Sequence, residues 1–131
     1  MDWSVKIVPA ANPTPSAPAA FQPDLMNSQP GDPLYVQDDD IVTWNNTTDD
    51  THWPWPTDAN FKPVAQDPVT KDPVTMDLKL SDPIEPNMSS RPSYNVLKPD
   101  GGTIYYCCWL HQEERGTIVV SAIPSTTAST T

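Results

Sequence analysis

All the thiols and imidazoles of this 131-residue sequence lie in two short stretches. His52 stands in the first stretch, and Cys107, Cys108 and His111 share the second, which reads GGTIYYCCWLHQEERGTIVV over residues 101–120. One thiolate and two imidazoles form a donor set that suits a metal taking one soft sulfur and two nitrogen ligands. The spacing Cys-x-x-His allows a thiolate at a strand end and an imidazole in the next loop to face one ion. The sequence therefore predicts a metal site that joins the two stretches.

Three kinds of chemistry compete for these residues. A structural zinc ion needs four ligands, and a Cys2His2 site would require Cys107 and Cys108 to face the same ion, although neighbours on a strand point to opposite sides unless a bulge intervenes. A disulfide between the two cysteines would remove the thiolate altogether. A trigonal His2Cys set with one weak axial ligand is the requirement of a copper electron-transfer centre. The strand geometry thus favours copper.

The rest of the sequence predicts strands to hold these residues. Its 17 prolines each fix a backbone angle and remove a donor, which excludes long helices over most of the chain. About seven short strands separated by turns predict an all-β, antiparallel Greek-key β-sandwich. These strands are predicted over residues 3–8, 34–36, 40–44, 76–80, 92–97, 103–108 and 116–122, with a short extended piece at 21–26.

Composition limits the classes of partner. A net charge of −10 and a pI near 4.2 argue against nucleic acid, because phosphate binding needs a basic face. The same charge could steer a cationic redox partner, or could simply provide solubility. No apolar run reaches the length of about 20 residues that a membrane span needs. The start of the sequence lacks a secretory signal, and a strand-like run directly after Met1 leads us to expect that a leader or anchor was removed, so this absence does not indicate where the protein works.

The domain organisation follows from the same reading. Residues 1–122 are predicted to form one domain, and we expect it to be a monomer. The Ser/Thr-rich residues 123–131 have little apolar surface to bury, so we expect a disordered tail that leads to an anchor or to a neighbouring domain.

Two stretches of the sequence resemble one family of proteins. DDDIVTWNNTTDDTH, residues 38–52, is similar to a strand of pattern D-x-V-x-W-x-N that leads to a histidine, and residues 101–120 are similar to G-x-Y-x-Y-x-C-x-x-H followed by a closing G-x-V-x-V strand. This order and spacing resemble the cupredoxins, the blue-copper group that includes plastocyanin and amicyanin. With FQP at 21–23 and IEPNMSS at 84–90, the resemblance covers most of the chain from about residue 21 to residue 120.

The resemblance implies a single copper ion bound by His52, Cys108 and His111. Cys108 is preferred as the thiolate because Cys-x-x-His is the shortest ligand loop of the family, and strand alternation agrees by pointing Cys108 inward and Cys107 outward. Cys107 then has no part in the site. A bulge in the strand would exchange the two cysteines, so this alternative stays open.

The sequence departs from the family at the axial position. Where the short-loop members carry a methionine three residues after the second histidine, this chain has Glu114, and no methionine follows Met88. We interpret Glu114 as an axial or near-axial oxygen ligand that would lower the reduction potential and shift the colour from blue toward green or red. A solvated loop carboxylate beside Glu113 is the alternative.

These expectations describe a mononuclear copper protein that transfers single electrons outside the cytoplasm and is not an enzyme. It would work with a redox partner protein. A copper carrier or storage protein would use the same ligands but would exchange its metal readily. A metal-free interaction module, or one module of a larger copper enzyme, is the other alternative.

Overall fold

The described residues form two packed β-sheets. The computed structural model describes residues 1–74 and 79–122, and within them it contains strands and turns but no helix. The strands are Asp2–Thr14 (β1), Ala17–Pro23 (β2), Leu34–Gln37 (β3), Ile41–Asn46 (β4), Pro54–Thr57 (β5), Tyr94–Asn95 (β6), Gly102–Cys108 (β7) and His111–Ser121 (β8).

The strand order confirms the predicted all-β sandwich. One sheet has the order β2-β1-β4-β6 and the other the order β3-β8-β7-β5, with four strands in each. The pairs β1–β4 and β3–β8 are parallel, so both sheets are mixed rather than purely antiparallel. The chain changes sheet at every connection from β2 to β7. Strands from distant parts of the sequence therefore lie side by side, and two of these pairs are parallel.

Alternating apolar residues supply the core between the sheets. In β8 the buried residues are Glu114, Gly116, Ile118 and Val120, and the residues between them face the other side of the sheet. The same alternation in the other strands completes a main core of Val5, Ile7, Ala19, Phe21, Leu34, Val36, Val42, Trp44, Leu80, Ile84, Val96, Ile104, Tyr106, Cys108, Ile118 and Val120.

One aromatic contact in this core depends on a glycine. A Cβ built on Gly116 would lie 2.3 Å from Cζ and 2.5 Å from the hydroxyl oxygen of Tyr106. The ring of Tyr106 also packs edge-on against Phe21 and Trp44. Gly116 therefore allows β8 to lie close to the tyrosine that fills the core.

Strand β5 was not predicted, because its sequence PWPT contains two prolines. It lies at the edge of its sheet, paired with β7. The carbonyl oxygen of Pro56 accepts a hydrogen bond from the amide of Val64, on the side away from β7. The missing N–H of Pro56 therefore points to the free edge, where no ladder hydrogen bond is lost.

The other strand predictions differ mainly in length. β1 and β8 are longer than predicted, and β6 is only two residues long. The strand predicted at 76–80 falls largely on residues 75–78, which lie outside the described residues, as does the predicted tail at 123–131. Among the described residues no helix is long and apolar enough to cross a membrane.

Candidate metal centre

Four potential metal ligands converge at one end of the sandwich. His52, Cys108, His111 and Glu114 each offer one donor atom, and these four atoms all lie within 4.8 Å of one another. The Sγ of Cys108 lies 3.7 Å from Nδ1 of His52 and 3.6 Å from Nδ1 of His111. The structure thus brings together all four residues that the sequence singled out.

Three of the four side chains come from a single hairpin. Cys108 ends β7 and His111 begins β8, and the two residues pair with each other across a two-residue turn of Trp109 and Leu110. The register then shifts, because Cys107 pairs with Arg115. The extra residues on β8 place Glu114 opposite the end of β7, from where its side chain reaches the two ligand residues of the hairpin.

His52 lies in the segment between β4 and β5, which links the two sheets, and is held at both ring nitrogens. It follows β4 by a short loop, and its backbone exchanges two hydrogen bonds with Ile84, at 3.0 and 2.7 Å. Nε2 of the ring lies 2.9 Å from Oγ1 of Thr48, and that hydroxyl donates its own proton to Oδ1 of Asn46 at 2.7 Å. The hydroxyl must therefore accept from Nε2–H, which leaves the lone pair of the imidazole on Nδ1, facing Cys108 and Glu114.

Asn46 ties the two loops of this region together. Its side-chain amide donates to the carbonyl oxygens of Asp50 and Ile84, at 2.7 and 3.0 Å, and its Oδ1 accepts from the amide and the hydroxyl of Thr48. The residue is 2% exposed. Because the side chain of Asn46 is buried, breaking the network would leave its polar atoms without partners, so the loop that carries His52 is held firmly.

The thiol of Cys108 is buried, and the backbone amides of Trp53, Leu110 and His111 are directed at it. The backbone amide of Trp53 donates to Sγ at 3.3 Å. Burial raises the pKa of the Cys108 thiol to about 12, although the hydrogen bond from Trp53 acts in the opposite direction. Without a cation this sulfur therefore stays protonated at neutral pH, and a bound metal ion would replace the proton.

Glu114 is fully integrated in the cluster and is not a solvated loop carboxylate. Its side chain is 1% exposed, whereas the neighbouring Glu113 is exposed. Oε1 lies 2.9 Å from Nδ1 of His52 and 3.5 Å from Nδ1 of His111. Oε2 accepts a hydrogen bond of 2.8 Å from the backbone amide of Ala19, in β2.

The donor set fits a bound cation on chemical grounds. With its proton on Nε2, the imidazole of His52 presents a lone pair to a carboxylate oxygen only 2.9 Å away. Two acceptors at this distance repel each other unless a proton or a metal ion lies between them. The side chain of His111 is 20% exposed, while those of His52 and Glu114 are 0% and 1% exposed, so the site meets solvent at the edge of His111.

The second cysteine lies on the opposite face of β7. Cys107 packs in a separate cluster with Trp53, Trp55 and Trp109, which we call the indole cluster. The rings of Trp53 and Trp55 meet edge-on at 4.9 Å between centroids, and those of Trp55 and Trp109 lie 4.5 Å apart. Both cysteines are free thiols. The indoles therefore cover the outer face of the sheet, and the backbone amide of Trp53 donates to the sulfur of Cys108 on the inner face.

Sequence reasoning missed two contacts that position the site. Thr48 orients His52, and nothing in the sequence distinguishes it from the neighbouring polar loop residues. Ala19 acts through its backbone amide, which has no signature in the sequence. The burial of Glu114 could have been predicted, since extending the alternation of Val120, Ile118 and Gly116 back by one step makes position 114 face inward.

Comparison with solved structures identifies the fold. The purple cupredoxin of Nitrosopumilus maritimus aligns over 90% of this chain and 98% of its own, with 17% identity and a TM-score of 0.57. A proline-to-glycine variant of amicyanin in its reduced Cu(I) form aligns over 90% of this chain and 80% of its own, with 19% identity and a TM-score of 0.52. No protein-family model and no curated protein matches the chain. The chain has the cupredoxin fold.

Proposed function

We propose that this chain with the cupredoxin fold is a mononuclear copper protein that transfers single electrons. His52, Cys108 and His111 would provide two imidazole nitrogens and one thiolate, and Oε1 of Glu114 would provide the fourth donor. The observation that carries the proposal is the convergence of these four donor atoms within 4.8 Å of one another, in a site that is almost wholly buried. One thiolate with two imidazoles is the ligand set of copper electron-transfer centres.

Copper would supply a one-electron couple at this site, and the chain would supply a cage of fixed shape. Three of the four donor side chains are each held by a second contact: His52 by Thr48, Cys108 by the amide of Trp53, and Glu114 by the amide of Ala19. Such outer contacts orient the ligands and limit their movement when the charge at the site changes. Little structural change on electron transfer is the expected result.

The carboxylate distinguishes this site from one with a thioether. A hard anionic oxygen favours Cu(II) over Cu(I), so we expect a reduction potential below that of a site with methionine in the same place, and a colour shifted from blue toward green or red. The substitution Glu114→Met should raise the potential and move the absorption toward blue. An unchanged spectrum would show that the carboxylate does not bind the metal.

Copper loading of the purified protein tests the function directly. Absorption and electron paramagnetic resonance spectra should report one Cu(II) ion per chain bound to a thiolate, and chemical reduction should be reversible. A carrier or storage protein would lose its copper to a competing chelator quickly, whereas an electron-transfer protein would keep it through several cycles of reduction and oxidation. Absence of a thiolate-to-copper band in the copper-loaded, oxidised protein would overturn the electron-transfer role.

The exposed surface near the site and the net charge indicate where electrons would enter and which partner would bind. Electrons would enter at the exposed edge of His111, next to the exposed side chain of Leu110. With a net charge of −10, the chain would associate faster with a cationic redox partner at low ionic strength. We place the protein outside the cytoplasm, as a monomer that carries electrons and does not catalyse a reaction of its own, either free or as one module of a larger copper protein.

A further inference from the structure

The hydrogen bond between Ala19 and Glu114 links the edge of one sheet to the metal centre in the other. We propose that the backbone amide of Ala19 is a positioning group, which holds Oε2 of Glu114 so that Oε1 alone faces the metal. This inference rests on the proposed function, because it assigns a way of binding to the carboxylate of that same site. The two oxygens already have different partners, Ala19 at 2.8 Å and His52 at 2.9 Å.

The amide is available because β2 is an edge strand. In the antiparallel pair β1–β2, Ala19 lies opposite Pro9. The N–H of Ala19 points away from β1, toward β8, and the carbonyl of Phe21 on the same free edge accepts from Gly31. Ala19 is 4% exposed, so its N–H has no access to bulk water. A buried amide needs an acceptor, and the carboxylate of Glu114 is that acceptor.

A second contact keeps the strand and the carboxylate at this distance. The amide of Glu113 donates to the carbonyl oxygen of Ser16 at 3.3 Å, just before β2. Ser16 and Ala19 therefore bracket the start of β8 from the opposite sheet. Rotation of the carboxylate away from its present orientation would break a buried hydrogen bond to a charged group, which is one of the stronger types of hydrogen bond in proteins.

The consequence for the metal is both geometric and electronic. The amide occupies Oε2, so the carboxylate would bind through one oxygen. The same hydrogen bond withdraws negative charge from the carboxylate and weakens its preference for Cu(II). Removing the N–H should therefore increase the ratio of Cu(II) affinity to Cu(I) affinity by about tenfold, which lowers the potential of a one-electron couple by about 59 mV.

Ala19→Pro removes this N–H at a position where proline costs no ladder hydrogen bond. Two matched controls exist: Ala19→Gly keeps the N–H, and Ala17→Pro removes another amide of β2, which bonds the exposed hydroxyl of Thr14. Reduction potential and electron paramagnetic resonance spectrum are measured on the copper-loaded proteins. We expect a lower potential and a changed spectrum for Ala19→Pro alone. Unchanged values for Ala19→Pro, or equal changes in Ala17→Pro, would overturn the inference.

Repeating the substitution in a Glu114→Met background separates this inference from the proposed function. If the carboxylate carries the effect, Ala19→Pro should leave the potential of the Glu114→Met protein unchanged. If Glu114→Met by itself leaves the spectrum unchanged, the ligand assignment of Glu114 fails. If Glu114→Met changes the spectrum but Ala19→Pro shifts both backgrounds equally, the positioning role fails and the ligand assignment stands.

A measurement on the metal-free protein decides the matter should Ala19→Pro fail to fold. The amide proton of Ala19 should exchange slowly with deuterium although it lies on the free edge of a strand, and its chemical shift should move upfield in Glu114→Met. Exchange of this proton as fast as that of an exposed amide, or a chemical shift insensitive to position 114, would show that the hydrogen bond is absent and would overturn the inference.

Discussion

Cys107 and Cys108 are adjacent in the sequence, but their side chains lie in two regions with different chemistry. On the inner face of β7, Cys108 lies among two imidazoles and a carboxylate. On the outer face, Cys107 packs against the three tryptophans of the indole cluster, and none of these side chains is a metal ligand. Both side chains are 0% exposed, so burial does not distinguish them. The difference lies in what surrounds each sulfur, and the alternation of the strand decides it.

Removing each sulfur in turn is the most direct test of whether Cys108 and Cys107 have different roles. Cys108→Ala should abolish the thiolate-to-copper absorption and weaken copper binding by more than the 10- to 100-fold typical of losing an outer contact. Cys107→Ala should leave the absorption in place. Spectra and copper titrations of the two variants measure the effect. Loss of the absorption in Cys107→Ala, with retention in Cys108→Ala, would mean that the two cysteines exchange roles.

The indole cluster should matter for stability and little for the metal. Trp55 is 0% exposed and donates its Nε1–H to the carbonyl oxygen of Val64. Trp55→Ala should lower the free energy of unfolding by about 3–5 kcal/mol, measured by denaturant titration of the metal-free protein. Tyr35→Ala, on the exposed side of β3, is the matched control and should change it by less than about 0.5 kcal/mol. A larger effect for the control would contradict this division.

The contribution of the outer contacts to copper affinity can be tested by a substitution that keeps all four donors. Thr48→Val removes the hydroxyl that accepts from Nε2 of His52 and keeps the shape of the side chain. The imidazole then loses the contact that fixes its tautomer, so copper affinity should fall about 10- to 100-fold. Thr43→Val, whose hydroxyl meets only Ser93 at an exposed position, should leave the affinity unchanged. Equal affinities for Thr48→Val and the unaltered protein would remove Thr48 from the site.

The smallest effect concerns the reactivity of Cys107. Burial raises the pKa of its thiol to about 11, although the charge of Arg115 acts in the opposite direction. A raised pKa means less thiolate at a given pH, so at pH 8 only about one thiol in a thousand is ionised, against about one in ten for the ordinary value of 9. In the Cys108→Ala protein, alkylation should therefore be slow when folded and fast in denaturant. Fast labelling of the folded protein would show that Cys107 is accessible.

Strands with clear alternation were predicted well, and strands that contain prolines were not. The runs at 40–44 and 103–108 match β4 and β7 closely, because both runs are rich in β-branched and aromatic residues. PWPT was missed because proline disfavours strands in general, and only its place at the sheet edge makes it tolerable. The parallel pairing of β1 with β4 depends on which strands become neighbours, and no local pattern contains that information.

In the candidate site, too, some residues could be predicted from the sequence and others could not. The residue types offered two histidines and two cysteines as donors, and the resemblance to the cupredoxins favoured Cys108 as the thiolate and Glu114 as the axial group. Glu114 was singled out by its place after His111, and its inward direction follows from extending the alternation of β8 by one step, although both a buried and a solvated carboxylate were considered. Thr48 and Ala19 could not be found, because one is an ordinary loop hydroxyl and the other acts through its backbone.

The sequence by itself determined which donor groups are available and on which face of a strand each one lies. The first follows from residue identity, and the second from the alternation of side chains along a strand. What the tertiary structure decided is the meeting of His52 with the hairpin of Cys108 and His111, and the contact of the Ala19 amide with Glu114. His52 lies in the link between the two sheets and Ala19 in the sheet opposite β8, so only the packing of one sheet on the other fixes the distances between these groups.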